Sequence, residues 1–78
     1  MTKAQFIENC CIALEVDPGS LDEQSTPDDV STWDSMGWIS LMAMIDEELG
    51  VTLDAEELTN VKNLGQLIEI LEKQDLLD

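Results

Sequence analysis

Ser35, inside Trp33-Asp34-Ser35-Met36-Gly37, is the residue best placed to undergo chemistry. A long polar connection precedes it and a helical pattern follows, so the spacing predicts its hydroxyl at the first turn of a helix, open to solvent. The free backbone amides and the positive end of the helix dipole favour a phosphate there. The position therefore suits phosphorylation chemistry. Asp34-Ser35 is also how an ordinary helix begins, with Asp34 as N-cap, so the dipeptide alone leaves both readings open. Ser35 is not equipped to attack a substrate unaided. The chain has no histidine, and its three basic residues, Lys3, Lys62 and Lys73, are far from Ser35 in sequence, which leaves no evident general base. If Ser35 reacts, another protein activates it.

The other reactive groups carry less. Asp46-Glu47-Glu48 and Glu56-Glu57 have no basic or apolar neighbour pattern that would separate their pKa values, so acid–base catalysis has no particular support. They do not fit a calcium loop either: after Asp17 the third and fifth positions are Gly19 and Leu21, and after Asp46 the sixth is Val51 where glycine is required. Cys10 and Cys11 are adjacent, a spacing that rarely closes into a disulfide and offers too few ligands for structural zinc. They read as reduced thiols near a helix core. No metal site is expected.

Composition narrows the function further. The 78 residues hold 18 Asp and Glu against three basic residues, a formal charge of −15, with no basic residue between Lys3 and Lys62. Nucleic-acid binding needs cations to neutralise phosphates, so that class is excluded and the natural partners are basic surfaces. A large enzyme is excluded by size. Yet 44% of the residues are apolar and recur at regular spacings, so the chain should fold, as a single domain over 1–78. Neither a membrane-spanning run nor a secretory signal is visible, and the expectation is a cytoplasmic protein. Like-charged faces repel, which favours a monomer.

The elements that must position Ser35 follow from periodicity. Thr2-Lys3-Ala4-Gln5 has capping-box spacing, and Ile7, Cys11 and Leu14, flanked by Phe6, Cys10 and Ala13, form one apolar face. A helix is predicted over 3–16, stopped by Asp17-Pro18-Gly19. Residues 17–34 read as one long connection, with single turns at 20–23 and 26–29 and with Leu21 and Val30 as its anchors. A second helix runs from Ser35 to Leu49, with Trp38, Leu41, Met42, Ile45 and Leu49 on its core stripe and Gly50 as a left-handed C-cap. Trp38 is expected in the core and Trp33 as a lid packing the loop against the second helix. After an extended 51–53, Asp54 caps a short helix through Glu57, with Leu58 inward. Asn60 is predicted to cap the last helix, with Val61, Leu64, Leu67, Ile68 and Leu71 facing the core. Three long helices, one short helix and no strand define an all-α four-helix bundle.

Across nearly the whole chain this order resembles the acyl carrier protein family. Asp34-Ser35-Met36 is similar to its Asp-Ser-Leu motif, Leu49-Gly50-Val51 with Leu53 resembles the junction after its second helix, and Asn60-Val61 stands where its Thr-Val usually opens the fourth. The resemblance implies 4′-phosphopantetheine attached covalently to Ser35, with Asp34 and Met36 flanking it. A separate phosphopantetheinyl transferase would install the arm from coenzyme A with Mg²⁺. The thiol of the arm would then carry acyl or aminoacyl groups as thioesters between loading and processing enzymes, a flexible tether raising their effective concentration. The carrier itself performs no catalysis. Met36 replaces the common leucine at similar volume. Gly37 and Ser40 stand where many central fatty-acid carriers have acids, which points to a specialised polyketide, lipid or aminoacyl pathway.

Docking should be electrostatic and salt-sensitive. Met36, Ile39, Ser40 and Ala43 lie off the core stripe of the second helix, and with Asp46 and Glu47 they form a face leading away from Ser35. Glu56 and Glu57 extend its acidic rim. An acidic helical module binding a basic partner is the alternative; it accounts for the charge and leaves Ser35 without a task.

Overall fold

Each of the three longer helices begins at a side chain able to accept the unpaired amides of a first turn. In the computed structural model, which describes residues 1–78, α1 covers Lys3–Ala13, α2 Ser35–Leu49, α3 Ala55–Thr59 and α4 Leu64–Lys73, with no strand. The predicted capping box of α1 forms: Thr2 Oγ1 accepts from the Gln5 amide at 3.2 Å, and Gln5 Oε1 from the Thr2 amide at 2.9 Å. Gly50 ends α2 at φ 71°, its amide donating to the Asp46 carbonyl at 3.0 Å.

Three helix boundaries differ from the sequence expectation. α1 stops at Ala13 rather than 16. Glu15 takes the left-handed conformation at φ 57°, its amide donates to Ile12 O at 3.2 Å, and the Val16 amide donates to Cys11 O at 3.0 Å. This is a Schellman ending, in which the residue after the left-handed position packs back on the helix. Val16, the last residue of the predicted helix, therefore lies outside it while packing on the core, and Asp17-Pro18-Gly19 marks the loop rather than the helix end. At the other end, α4 is capped by Asn63 and not by Asn60. Asn63 Oδ1 accepts from the Gln66 amide at 2.9 Å, and Gln66 Oε1 accepts from the Lys62 amide at 2.7 Å. Val61 and Leu64 are both buried, which gave them helical spacing, but the chain turns between them. Asn60 instead closes α3, its side-chain amide donating to Glu56 O at 3.3 Å. α3 runs to Thr59 rather than Glu57, and the Asp54 side chain makes no capping hydrogen bond.

Fifteen buried side chains form one core. α1 supplies Phe6, Cys10, Cys11 and, at its C-cap, Leu14; α2 supplies Leu41 and Ile45; α4 supplies Leu64, Leu67, Ile68 and Leu71. Trp33 packs the loop against α2 as expected but sits deeper than a lid, 2% exposed and part of the core, whereas Trp38, expected in the core, is half-buried beside it. Gly37 explains the difference in depth. A Cβ at Gly37 would overlap the Thr32 carbonyl oxygen and approach Leu14 Cδ2 to 3.0 Å, so the missing side chain lets α1 and the loop close onto this turn of α2. The buried line on α2 therefore runs through Gly37, Leu41 and Ile45, and Trp38 and Met42 move to its flank. Gly37→Ala is expected to destabilise the fold by about 1–3 kcal/mol, because overpacking outweighs the gain of about 1 kcal/mol in helix propensity. Denaturant unfolding monitored by circular dichroism tests it, and an unchanged or raised midpoint would contradict the close approach.

The long connection is fastened at both ends. Turns close at Asp22–Ser25 and Thr26–Asp29, through amide-to-carbonyl bonds of 3.1 and 3.0 Å. Leu21 is buried and Val30 packs on the core. The carbonyls of Ser25 and Glu23 accept the Leu64 and Gly65 amides, each at 2.9 Å. The loop thereby satisfies first-turn donors of α4 and is held to the bundle just ahead of Ser35.

Cys10 is fully buried, and burial, helped by the neighbouring Cys11, pushes its thiol from 9.0 up to about 12. Above pH 9 an unfolded chain would ionise this thiol while the folded chain keeps it protonated. Stability is therefore full below about pH 9 and falls as pH rises toward 12, by about 1.4 kcal/mol per pH unit. Denaturant titrations across that window should show this slope in the wild type and its loss in Cys10→Ala. An equal slope in both would assign the effect elsewhere.

Candidate functional site

Asp34 is extended at φ −108° and ψ −159°, which turns its carboxylate back over the first turn of α2. Its Oδ1 accepts from the Met36 amide at 3.0 Å and the Gly37 amide at 3.1 Å, while its carbonyl accepts from the Trp38 amide at 2.9 Å. Asp34 thus caps the helix by itself. Ser35 is exposed at the first helical position, clear of that cap, with its hydroxyl available to an approaching enzyme. A negative charge already occupies the helix end, so Ser35 is presented rather than buried in an anion cradle.

Beside Ser35 an open, mainly apolar groove of about 350 Å³ runs between α2 and α3, lined by Ser35, Trp38, Ile39, Met42, Ala55, Leu58 and Thr59. Ser35, Trp38 and Met42 share one flank because they follow each other at i, i+3 and i+7. The periodicity that assigned Trp38 and Met42 to the core missed this role: both are half-buried, serving core and groove at once. The contribution of Ala55, Leu58 and Thr59 depends on how α3 docks and has no signal in spacing alone.

The eight residues read as a partner face are distributed as follows. Met36 and Ile39 are 75% and 65% exposed. Ile39 stands on the α3 side of α2 and borders the groove. Met36, Ser40, Ala43 and Glu47 line hollows on the α1 side. Asp46 is exposed on the ridge of α2, and Glu56 and Glu57 are exposed in the first turn of α3 but do not line the groove. One large exposed apolar residue, Ile12 on α1, escaped the sequence reading because it lies off the helical stripe that marks the core.

No basic side chain lines the Ser35 groove, and Lys3 is engaged elsewhere, at 3.9 Å from Glu23 and 3.7 Å from Glu72. No group of three His, Cys, Asp or Glu side chains is arranged to hold a metal ion. No helix is long and apolar enough to cross a membrane.

A helix-start serine thus stands exposed beside an apolar groove on an acidic helical bundle. The family model described as "Phosphopantetheine attachment site" matches residues 7–71, and the chain belongs to that family. The group this family attaches is 4′-phosphopantetheine, and the chain is of the carrier type rather than an enzyme. Among solved structures, the solution NMR structure of a holo acyl carrier protein from Geobacter metallireducens matches with a TM-score of 0.78 at 20% identity, over 94% of this chain and 85% of that one. That likeness establishes the four-helix fold. No curated protein matches the chain. The residues present fit the group: the exposed Ser35 hydroxyl would offer a point of attachment, and the groove it borders would offer apolar surface to an arm leaving that oxygen.

Proposed function

We propose that Ser35 is the residue that bears the 4′-phosphopantetheine, and that the chain, as one carrier domain over 1–78, serves a specialised polyketide, lipid or aminoacyl pathway. The observation that carries the reading is the exposed Ser35 hydroxyl at the start of α2, within a match that covers residues 7–71. When attached, the arm supplies a terminal thiol that holds an acyl or aminoacyl group. The remaining work belongs to the chain. Asp34 holds the Met36 and Gly37 amides and thereby fixes the direction of the Ser35 Cα–Cβ bond. The loop anchored by Leu21 and Trp33 keeps that turn in place. With no basic side chain lining the groove beside Ser35 and the Asp34 carboxylate occupied by two amides, the proton on Ser35 Oγ is removed by the transferase.

Partner enzymes dock through Met36 and Ile39 as apolar contacts, through Ser40 and Ala43 where α2 presents small side chains, and through Asp46, Glu47, Glu56 and Glu57 as acids. The exposure of Met36 and Ile39 supports this reading. So does a formal charge of −15, which calls for basic docking surfaces and favours a monomeric carrier. Gly37 and Ser40, standing where many central fatty-acid carriers have acids, support a specialised pathway.

Intact mass spectrometry, before and after incubation with coenzyme A, Mg²⁺ and a broad-specificity phosphopantetheinyl transferase, tests the proposal. One added phosphopantetheine on Ser35 is the expected result. A folded chain that gains nothing would favour a purely acidic interaction module.

A further inference from the structure

α2 is flanked by a groove on each side, and the attachment reading uses the one toward α3. The other, between α1 and α2, has a volume of about 430 Å³, with Ile12, Ala13, Ala43 and Met44 among its lining and Glu47 and Glu48 at its edge. Through Ala13 and Ser40 it continues into a hollow of about 320 Å³ that reaches Asp34 and Met36. The channel thus follows α2 from the turn beside Ser35 to its last turn. Ile12 is 74% exposed, as bare as Met36, but stands on a different helix. A large apolar side chain held in water beside further apolar surface marks a place where a partner can exclude that water.

The charge around the channel selects the partner. No lysine lines either part of it, and the lining acids are Glu15, Asp34, Glu47 and Glu48. Lys3 is held by Glu23 and Glu72 beside a separate hollow bordered by α4. An acidic or neutral segment would meet uncompensated negative charge here; a basic one meets its complement.

We infer that the α1–α2 channel is a docking site for a basic amphipathic helix of a partner protein, which sets an apolar side chain against Ile12 and Met44 and lysines or arginines against Glu47 and Glu48. Ser40, Ala43 and Glu47 already belong to the proposed partner face; Ile12, Ala13, Met44 and Glu48 bring α1 into recognition. A partner seated here grips α2 from the side opposite the Ser35 groove, so it leaves the path of the arm free. The inference does not depend on Ser35 bearing the arm.

The test is a titration of the ¹⁵N-labelled full chain, without the arm, with a synthetic Leu/Lys amphipathic helical peptide and with a scrambled peptide of the same composition. Saturable shift changes are expected at Asn9, Ile12, Ala43, Met44 and Glu48, with Ile12→Ser weakening the amphipathic peptide about tenfold. Ile12 is exposed, so this variant keeps the fold, which circular dichroism verifies. Shifts confined to Trp38, Ile39, Met42 and Leu58, equal binding of the scrambled peptide, or an Ile12→Ser titration matching the wild type would each overturn the proposal. Because the chain is tested without the arm, failure here leaves the mass-spectrometric result standing, and failure of loading leaves this titration standing.

Discussion

Ser35→Ala is expected to take up no phosphopantetheine under conditions that load the wild type completely, while keeping its helical spectrum and unfolding midpoint. The loss is total because the substitution deletes the only atom that could bond to the phosphorus at that position. The stability effect is small for a separate reason. Asp34 Oδ1, not the serine hydroxyl, accepts the Met36 and Gly37 amides, and Ser35 is exposed, so removing one oxygen breaks no cap and opens no cavity. A change within about 0.5 kcal/mol is expected for such a surface site. The pair of measurements separates chemistry from folding: intact mass reads loading, and denaturant titration reads the fold. Mass gain in Ser35→Ala would place the attachment at another hydroxyl, and Ser40, on the same helix and half-buried, would be the first to examine. Loss of loading together with loss of folded structure would mean that Ser35 serves the helix rather than the arm.

Helices whose ends are marked by local chemistry were legible from the sequence, and boundaries made by packing were not. Thr2 and Gln5 exchange hydrogen bonds with each other's amides, Asp34 serves its own helix and Gly50 needs no neighbour to adopt φ 71°; each such signal is complete within a few residues. Val61 misled because burial is periodic whether or not the backbone between two buried residues is helical, and the end of α1 was overrun because a non-glycine residue, Glu15, takes the left-handed position ahead of the Pro-Gly stop. The true start of α4 did have a local signature, the Asn63-to-Gln66 spacing, in which Asn63 Oδ1 accepts from the Gln66 amide and Gln66 Oε1 from the Lys62 amide, but the apolar Val61 nearby outweighed it. At the site, Ser35, Asp34 and the exposure of Met36 and Ile39 follow from one helix and its stripe. The groove walls contributed by Ala55, Leu58 and Thr59 follow from the docking of α3 on α2. The relative depth of Trp33 and Trp38 has the same origin, since it depends on how closely the loop and α1 approach Gly37.

Trp33→Ala is expected to be the most damaging substitution near the site, costing about 3–5 kcal/mol. A domain of this length commands roughly 4–12 kcal/mol in total, so the variant should be partly or wholly unfolded under mild denaturant. Trp33 is 2% exposed and meets Trp38 edge to face, with ring centroids 5.2 Å apart and planes at 63°. It is also the residue immediately before the Asp34 cap, so its loss frees the loop end that aims Ser35. Trp33→Phe is the informative companion. It keeps an aromatic ring at the position and removes an indole Nε1 that is buried without a hydrogen-bond partner. An unpaired buried donor costs about 1–3 kcal/mol, which offsets the smaller volume of phenylalanine and leaves a net change of about 1 kcal/mol or less. Unfolding should be followed by far-ultraviolet circular dichroism, since both substitutions alter tryptophan emission. Loading at Ser35 should fall in Trp33→Ala and recover in Trp33→Phe, because the side chain acts by holding the turn and not by touching the phosphate. A Trp33→Ala midpoint close to the wild type would restore the view of this residue as a peripheral lid, and failed rescue by phenylalanine would give the indole nitrogen a role of its own.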